Sequence, residues 1–414
     1  MEKFVINGGR KLKGSVKVDS AKNAVLPMIA AAVLTEEETV IKNCPPIGDV
    51  VKMTEILRSC GAKTAFCDGN LIINAKDISI NSVSENLCGS LRTSVLMLGA
   101  LAGRTGGAAV YRPGGCNIGK RPVDIHLYAL KTLGSSVYDE SDRIICCGKP
   151  SGGDVYLDFP SVGATENALL ASVTAKGVSR IFNPAKEPEI EDFVGFLNAM
   201  GAKVYGAGSS CIRVEGVKRL HGAEYTPIGD RIEAGTYLIA SAITGGEIAV
   251  EGVNAENISS LTGKLCDNSC QISVGNGIIY QKSIRGRKAF DAETGPYPSF
   301  PTDLQAQITS LAAVSEGTSV IRENVFETRF GHVTELVKMG ADITVDGRTE
   351  TVRGVKKLHG AVVSAKDLRC GAAMVIAGLA AEGQTIVLGA HHVERGYYDV
   401  HKKLAELGAD IRGV

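Results

Sequence analysis

The segment LVKMGADITV, residues 336–345, has counterparts at five other places in the chain. Each combines the end of an amphipathic helix, a turn and the start of a strand; the others are LRSCGAKTAF (57–66), LKTLGSSVYD (130–139), LNAMGAKVYG (197–206), LCDNSCQISV (265–274) and LAELGADIRG (404–413). Gly in the turn supplies a left-handed helix cap, which a residue with a Cβ adopts only at a cost. The fourth copy lacks this Gly. The pattern predicts an internal repeat of six α/β units.

An apolar, Ala-rich helix is predicted to open each unit. The six helices are predicted to begin, 66 to 74 positions apart, at Lys22, Arg92, Glu166, Glu233, Asp303 and Arg369. A β-rich run such as GTSVIREN (317–324) follows each helix. Because these helices are too apolar to face water, we expect them at the centre of each lobe with the sheets outside. The predicted fold is a two-lobed, inside-out α/β barrel with three units per lobe.

The two chain ends are predicted to meet. The segments IRVEGVKRLHGAEYTP (212–227) and TVRGVKKLHGAVVSA (351–365) close the third and fifth units, whereas the last unit stops at Val414 before that element. The N-terminal segment FVINGGRKLKGSVKV (4–18) supplies the missing piece. We therefore expect one lobe of residues 20–229, another of residues 1–19 plus 230–414, and a functional site in the cleft between them.

Composition narrows the class of protein. Lysine plus arginine equals aspartate plus glutamate, at 45 each among 414 residues, so no global charge would attract nucleic acid. The N-terminus has no apolar signal segment, and the longest apolar runs are too short to cross a bilayer. The eleven cysteines include no CxxC pair, which indicates free thiols in a reducing cytoplasm.

Several cations lie where an anion would be held. Lys22, Arg92 and Arg369 stand at predicted helix starts, where the helix dipole disfavours a positive charge unless an anion is bound there. For each residue, a solvated charge on a frayed helix end is the alternative interpretation. In RPGGCNIGKRPVDIH (112–126), Cys116 lies among glycines and basic residues, a setting that favours the reactive thiolate.

The chain resembles the enolpyruvyl transferases from Phe4 to Val414, in eight motifs that occur in order. They are AKNAVLP (21–27), GGCNIGKRPVDIH (114–126), GATENALL (163–170), DRIEAGTYL (230–238), PYPSFPTDLQAQ (296–307), FETRFGHVTELVKMGADI (326–343), DLRCGAA (367–373) and HHVERGYYDV (391–400). The resemblance implies two inverted α/β lobes with central helices. It also implies transfer of the enolpyruvyl group of phosphoenolpyruvate to the 3'-hydroxyl of UDP-N-acetylglucosamine by addition and elimination of phosphate. That reaction is the first committed step of peptidoglycan synthesis. The resemblance further implies a cytoplasmic monomer that needs no cofactor or metal.

The resemblance also implies roles for individual residues. Cys116 would protonate the donor or assist product release, and would be the nucleophile attacked by fosfomycin. Asp303 would deprotonate the sugar hydroxyl, although Asp303 or Thr302 could instead cap the helix that follows. Lys22, Arg121 and Arg395 would face the donor phosphate, and Lys22 and Arg395 are also predicted to be catalytic. Arg329 and Arg369 would face the donor carboxylate. A purely structural role is the alternative for Arg329. The predicted UDP-sugar contacts are Asn23, Arg92, Arg121, Pro122, Val123, Asp124, Ile125, Ser161, Val162, Gly163, Ala164, Asp303 and Val325.

Histidines are assigned supporting roles. Adjacent His391 and His392 on an extended segment would point in opposite directions, so they are not expected to bind a metal. We expect His392 to order Arg395 and His126 to order the cysteine loop.

Alternative functions follow from departures from the family pattern. Asp19 and Ser20 stand where the family usually has Ser and Gly, and Asp19 would place a negative charge near the phosphate site. These two residues leave open a divergent, low-activity binding or regulatory paralogue. Enolpyruvylshikimate phosphate synthase shares the fold and donor, but Cys116 and the AKNAVLP form argue against it. An RNA-end cyclase would need its own histidine motif, and the neutral charge does not favour it.

Overall fold

The computed structural model describes residues 1–114, 119, 122–284 and 286–414. Two compact units emerge: unit 1 contains Met1–Asp19 and Gly229–Val414, and unit 2 contains residues 20–114 and 122–228. Cys116 and Arg121, both predicted to be functional, lie outside the described residues.

Strands and helices alternate along the chain. The strands in the described residues are β1 Lys3–Asn7, β2 Lys13–Lys17, β3 Thr39–Ile41, β4 Lys63–Cys67, β5 Asn70–Asn74, β6 Ser82–Val83, β7 Gly107–Tyr111, β8 Ser136–Asp139, β9 Arg143–Cys147, β10 Asp154–Tyr156, β11 Val178–Phe182, β12 Lys203–Tyr205, β13 Cys211–Glu215, β14 Glu224–Tyr225, β15 Glu247–Glu251, β16 Cys270–Gly275, β17 Ile278–Ser283, β18 Ala292–Glu293, β19 Thr318–Arg322, β20 Asp342–Asp346, β21 Thr349–Arg353, β22 Val362–Ser364, β23 Gln384–Leu388 and β24 Asp410–Gly413.

The α-helices of the same residues are α1 Lys22–Ala31, α2 Gly48–Ser59, α3 Glu85–Ser90, α4 Met97–Thr105, α5 Asp124–Thr132, α6 Val162–Ser172, α7 Pro188–Ala199, α8 Arg231–Thr244, α9 Ser259–Asp267, α10 Gln305–Ala312, α11 Gly331–Lys338, α12 Leu368–Ala380, α13 Ala390–Glu394 and α14 Val400–Glu406. Short 3-10 helices span Ala32–Leu34, Arg92–Leu96, Ala255–Ile258 and Thr302–Leu304. None of these described helices has the length and apolarity that crossing a bilayer requires.

The strands confirm the predicted six-fold repeat. In the described residues they form six four-stranded sheets, each with one parallel and two antiparallel strand pairs. Unit 2 holds the sheets β14-β3-β5-β4, β6-β7-β9-β8 and β10-β11-β13-β12; unit 1 holds β16-β17-β15-β2, β18-β19-β21-β20 and β22-β23-β1-β24. The shared order shows that each repeat folds in the same way.

The N-terminal strands complete unit 1, as the sequence predicted. Strand β1 lies between β23 and β24 and pairs antiparallel with both, in the position that the end of the last repeat leaves open. Strand β2 then pairs parallel with β15 of the fourth repeat. In unit 2, β14 from the third repeat pairs parallel with β3 of the first. Strand β14 in unit 2 and strand β2 in unit 1 thus each join the sheet of the first repeat of their unit, and each unit closes on itself.

Central helices fill both units, as the apolar pattern predicted. In unit 1, α8, α10 and α12 contact one another, and nearly every residue of α8 and α12 is buried. In unit 2, α1, α4 and α6 occupy the centre of a separate apolar core. Helices α4 and α6 approach so closely that a Cβ at Gly99 would overlap Asn167. A helix without a solvated face is stabilised mainly by this burial, at about 25 cal/mol per Å² of apolar surface.

Five of the six predicted helix starts differ from the structure, by one to five residues; α12, for example, begins at Leu368 rather than Arg369. Helix α6 begins at Val162 rather than Glu166, because the Ser161 hydroxyl accepts the Ala164 N–H at 3.4 Å and caps the helix earlier. Helix α8 begins at Arg231 rather than Glu233, because Asp230 caps it. Arg92 and Asp303 lie in 3-10 turns that precede α4 and α10. Glu166 and Glu233 consequently lie inside their helices, where their side chains are buried.

The buried Glu166 makes stability depend on pH. Burial and the nearby Glu189 and Glu187 raise its pKa well above the ordinary value of 4.5, so the folded chain binds a proton that the unfolded chain has lost. This contribution to the free energy of unfolding is complete below pH 4.5 and is lost as the pH rises through the raised pKa. In the wild type, the urea concentration at the unfolding midpoint should fall between pH 5 and about pH 9, and we expect this fall to be smaller in Glu166→Gln. The exposed Glu406→Gln should follow the wild-type curve, and an unchanged slope in Glu166→Gln would contradict the assignment.

Candidate active site

The Asp303 carboxylate is held between two arginines of unit 1. Its Oδ1 accepts a hydrogen bond from Arg329 Nη2 at 2.9 Å, and its Oδ2 accepts one from Arg369 Nη2 at 2.7 Å. The Asp303 side chain is 24% exposed, whereas those of Arg329 and Arg369 are 7% and 5% exposed. The structure therefore presents one partly accessible carboxylate backed by two buried cations.

The start of α12 places Arg369. The Asp367 carboxylate accepts the backbone N–H of Arg369 at 2.8 Å and that of Cys370 at 3.1 Å, which caps the helix. Burial alone would lower the pKa of Arg369, but the Asp303 carboxylate raises it above its ordinary value. The positive charge of Arg369 in the first turn of α12 is thus compensated by the Asp303 carboxylate.

Arg329 is fixed by a buried carboxylate that sequence reasoning missed. Glu323 is fully buried, and its Oε1 accepts the N–H groups of Val325 and Phe326, which folds the segment after β19. Glu323 Oε2 accepts the Thr302 hydroxyl at 2.8 Å, and the same hydroxyl accepts Arg329 Nη1 at 2.8 Å. The suggestion that Thr302 or Asp303 caps the following helix is wrong, since neither side chain caps the described 3-10 turn or α10. Both side chains bind Arg329 instead.

A second buried carboxylate, Glu350 on β21, ties α10 to α11. It accepts the Gln305 amide at 2.9 Å and the Thr309 hydroxyl at 2.7 Å, and its Oε1 lies 2.8 Å from His332 Nε2. Gln305 follows the Asp303 turn, and His332 lies near the start of α11, which follows Arg329. Glu350 therefore contacts both helices that directly follow the Asp303–Arg329 pair.

The histidine pair near Arg395 lies on a helix, which corrects the prediction of an extended segment. His391 and His392 belong to α13, and their ring centroids are 4.2 Å apart. Arg395 directly follows α13 as its C-cap residue. Burial, His391 and Arg395 lower the pKa of His392, so its imidazole is neutral near pH 7. The short helix forms because Gly389 adopts a left-handed conformation before it, with φ 75°.

The negative charge of Asp19 is compensated within unit 1. Its carboxylate binds Lys403 Nζ at 2.8 Å, and the same ammonium binds Glu233 at 2.7 Å. Burial raises the pKa of Glu233 to about 7. The lysine thus compensates the negative charge of Asp19 that the sequence analysis placed near the phosphate site.

In unit 2, the predicted cations at helix starts have acceptors in the protein. Lys22, the first residue of α1, binds the buried Asp49 of α2 at 3.0 Å. Arg92 donates to the carbonyl of Pro122, just before α5, at 3.1 Å. Asn23 follows Lys22 and is partly exposed. The expectation that these cations require a bound anion is therefore weakened, because protein oxygens already contact Lys22 and Arg92.

The start of α6 meets the start of α5 through a buried histidine. His126 Nδ1 lies 3.2 Å from the Asn167 amide nitrogen, whose oxygen accepts the Gly99 N–H. The amide therefore donates, and His126 carries its proton on Nε2. A Cβ at Gly163 would lie 3.0 Å from His126 Cε1, so this packing requires a small residue at 163.

The predicted UDP-sugar contacts of unit 2 differ in what they can offer. Pro122 and Asp124 are exposed, and Ile125, Ser161, Val162 and Gly163 are partly exposed. Val123 and Ala164 are buried, so they can offer only backbone atoms. In unit 1, the N–H of Val325 is already bound by Glu323.

The described cysteines are free thiols, and most of the buried ones are poor nucleophiles. Burial raises the pKa of Cys44 to about 12, that of Cys60 to about 11 and that of Cys370 to about 12. Cys67, Cys147 and Cys266 are exposed.

Comparison with known proteins places the chain in a family. The family model described as EPSP synthase (3-phosphoshikimate 1-carboxyvinyltransferase) matches residues 6–404. The chain belongs to this family of carboxyvinyl, or enolpyruvyl, transferases.

Individual relatives resemble the chain over its whole length. It is 49% identical to "UDP-N-acetylglucosamine 1-carboxyvinyltransferase 2" of Caldanaerobacter subterraneus subsp. tengcongensis, over 99% of both chains. It is 46% identical to "UDP-N-acetylglucosamine 1-carboxyvinyltransferase" of Trichlorobacter lovleyi, over 100% of this chain and 99% of the relative. Among solved structures, the enolpyruvyl transferase NikO from Streptomyces tendae has a TM-score of 0.88 at 25% identity and covers 99% of this chain and 98% of its own.

Proposed function

We propose that the protein transfers the enolpyruvyl group of phosphoenolpyruvate to the 3'-hydroxyl of UDP-N-acetylglucosamine, with release of phosphate. The reaction would be the first committed step of peptidoglycan synthesis. The observation that carries the proposal is the Asp303 carboxylate, partly exposed between the buried Arg329 and Arg369. Relatives named for this acceptor match the chain at 49% and 46% identity.

The chemistry requires two proton movements. In the addition step, the sugar oxygen bonds to C2 of phosphoenolpyruvate, its proton passes to a base, and a second proton bonds to C3. In the elimination step, the bond from C2 to the phosphate oxygen breaks and C3 loses a proton, which leaves the enol ether. We assign the base to Asp303 and the acid to Cys116. Each positioned group contributes about 10²–10⁴-fold to the rate.

The cations are assigned to the anionic donor. Arg329 and Arg369 would bind the carboxylate of phosphoenolpyruvate, since a guanidinium offers two parallel donors to a planar carboxylate. Lys22, Arg121 and Arg395 would bind its phosphate. Because Asp303 and Asp49 bind three of these cations, the donor must share or replace those partners.

Phosphate release tests the acceptor. Purified protein is incubated with phosphoenolpyruvate and either UDP-N-acetylglucosamine or shikimate 3-phosphate, and inorganic phosphate is measured over time. We expect phosphate release when the acceptor is UDP-N-acetylglucosamine and none when it is shikimate 3-phosphate. Phosphate release with shikimate 3-phosphate but not with the UDP-sugar would favour enolpyruvylshikimate phosphate synthase. Release with neither acceptor would favour a binding or regulatory paralogue.

The same proposal places the enzyme in the cytoplasm as a monomer that uses no cofactor. The free thiols of the described cysteines support a reducing compartment.

A further inference from the structure

The hydroxyl of Tyr397 lies where the central helices of unit 1 meet. It is 2.8 Å from Thr236 Oγ1 on α8, 3.3 Å from Gln307 Nε2 on α10 and 3.0 Å from Arg369 Nη1 on α12. The tyrosine is 2% exposed and belongs to the segment between α13 and α14. One buried oxygen therefore contacts the helices that surround it.

The directions of these hydrogen bonds can be assigned. Arg369 and the Gln307 amide nitrogen can only donate, so the Tyr397 oxygen accepts from both. Thr236 donates its own proton to the carbonyl of Ile232 at 2.8 Å. The Tyr397 proton consequently goes to Thr236. The phenol thus accepts two hydrogen bonds and donates one, which uses its full capacity.

Both donors to Tyr397 also hold Asp303. Arg369 binds Tyr397 through Nη1 and the Asp303 carboxylate through Nη2. Gln307 donates to the carbonyl of Asp303 at 2.9 Å from the nitrogen that contacts Tyr397. Arg369 therefore links the phenol oxygen to the side chain of Asp303, and Gln307 links it to the backbone of Asp303.

Tyr397 also anchors the turn that contains Arg395. Its N–H donates to the carbonyl of Val393 at 3.1 Å, which closes the chain around residues 394–396. Burial raises the pKa of Tyr397 despite the nearby Arg369, so the phenol stays protonated at neutral pH. It is thus suited to holding neighbouring groups in place.

We propose that Tyr397 is a positioning residue, whose hydroxyl sets the orientation of Arg369 and thereby of the Asp303 carboxylate. The inference rests on the proposed function, in which Asp303 accepts the sugar proton and Arg369 binds the donor carboxylate. A misplacement of about 1 Å at reacting groups can lower a rate by about 10²-fold. Loss of this oxygen should therefore reduce turnover although the phenol itself is buried.

Tyr397→Phe tests this role, because it removes the oxygen and keeps the ring. We expect kcat for phosphate release to fall by about 10- to 10²-fold. The KM for phosphoenolpyruvate should rise, because Arg369 is assigned to the donor. The KM for the UDP-sugar should change less, because Asp303 is only one of its predicted contacts.

Tyr237→Phe is the matched control. Tyr237 is another buried tyrosine of unit 1, and its hydroxyl donates to Glu233 at 2.9 Å, outside the Asp303 network. This variant should lose thermal stability while keeping its kcat. Equal losses of kcat in both variants would indicate a general structural role and overturn the proposal.

A double-mutant cycle tests whether the effect acts through Arg369. If it does, adding Tyr397→Phe to Arg369→Lys should lower kcat by much less than adding it to the wild type. Independent, multiplicative losses would overturn the proposal.

Hydrogen exchange keeps the test independent of activity. Tyr397→Phe should speed amide exchange in residues 302–307, and Tyr237→Phe should not. Wild-type protein inactive with the UDP-sugar would contradict the proposed function alone, because exchange still decides the role of Tyr397. Active wild type with unchanged kcat and exchange in Tyr397→Phe would contradict only the positioning role.

Discussion

Asp303→Asn should lower kcat for phosphate release by about 10²–10⁴-fold. An amide has no basicity with which to take the proton of the sugar hydroxyl. The substitution also removes the carboxylate charge, which lies 2.9 Å from Arg329 and 2.7 Å from Arg369. Two buried guanidiniums therefore lose their shared counter-ion. We therefore expect a lower thermal midpoint as well. Initial rates at saturating substrates, together with a thermal melt, measure both effects.

The control for Asp303→Asn is Asp346→Asn, which changes an exposed aspartate at the end of β20 in the same unit. Its kcat and thermal midpoint should match those of the wild type. An Asp303→Asn enzyme whose kcat lies within threefold of the wild-type value would remove Asp303 from the proton transfer. Its carboxylate would then serve only to neutralise the two arginines.

Cys116→Asp should abolish covalent labelling by fosfomycin while some turnover remains. The epoxide of fosfomycin is opened by a thiolate, which forms an S–C bond as the C–O bond breaks and the oxygen takes up a proton. A carboxylate is a much weaker nucleophile, although a carboxylic acid can still deliver a proton to C3. Intact-protein mass spectrometry measures the labelling, and phosphate release measures the remaining activity.

The structure limits which other thiols could compete for the label. At a pKa of about 12, the buried Cys44 and Cys370 are almost wholly protonated near pH 7. The exposed Cys147 and Cys266 are the appropriate controls, and each Cys→Ser variant should be labelled like the wild type. Labelling that persists in Cys116→Asp and disappears in one of these controls would mean that the reactive cysteine was assigned wrongly.

Periodicity and repetition were enough to predict the fold from the amino-acid sequence. Apolar segments whose predicted starts recur every 66 to 74 residues require a shared interior, and the LxxxGAxxxx-like turns indicate where a helix ends and a strand begins. The missing end of the last repeat and the extra N-terminal segment together predicted that the N-terminal strand pairs inside the C-terminal lobe, and β1 does so between β23 and β24. These inferences succeed because hydrophobic burial and turn geometry depend on residues close in sequence.

The helix starts were harder to predict, because caps compete locally. Ser161 and Asp230 begin α6 and α8 earlier than the charged residues chosen from the apolar pattern. A cap depends on one hydrogen bond to a free N–H, and polar residues within a few positions can all provide it.

The sequence also contained an unused signal for the buried carboxylates. Glu350 occupies an inward-facing position of β21, whose alternating pattern also buries Val352. A carboxylate at such a position needs buried donors, so it predicts a polar network even before its partners are known. Glu323, which directly follows β19 and continues its alternating pattern of buried residues, could have been identified in the same way.

The amino-acid sequence alone determined the six repeats, the closure of unit 1 by the N-terminus and the set of candidate charged groups. Only the tertiary structure decided how those charges are paired: Asp303 with Arg329 and Arg369, Lys22 with Asp49, and Asp19 with Lys403. The physical reason is the separation along the chain of the residues that must interact. Helix and strand patterns arise from neighbours along the chain, whereas an ion pair requires two atoms within about 4 Å that can be hundreds of residues apart in sequence. Their partners are set by how the helices and sheets pack.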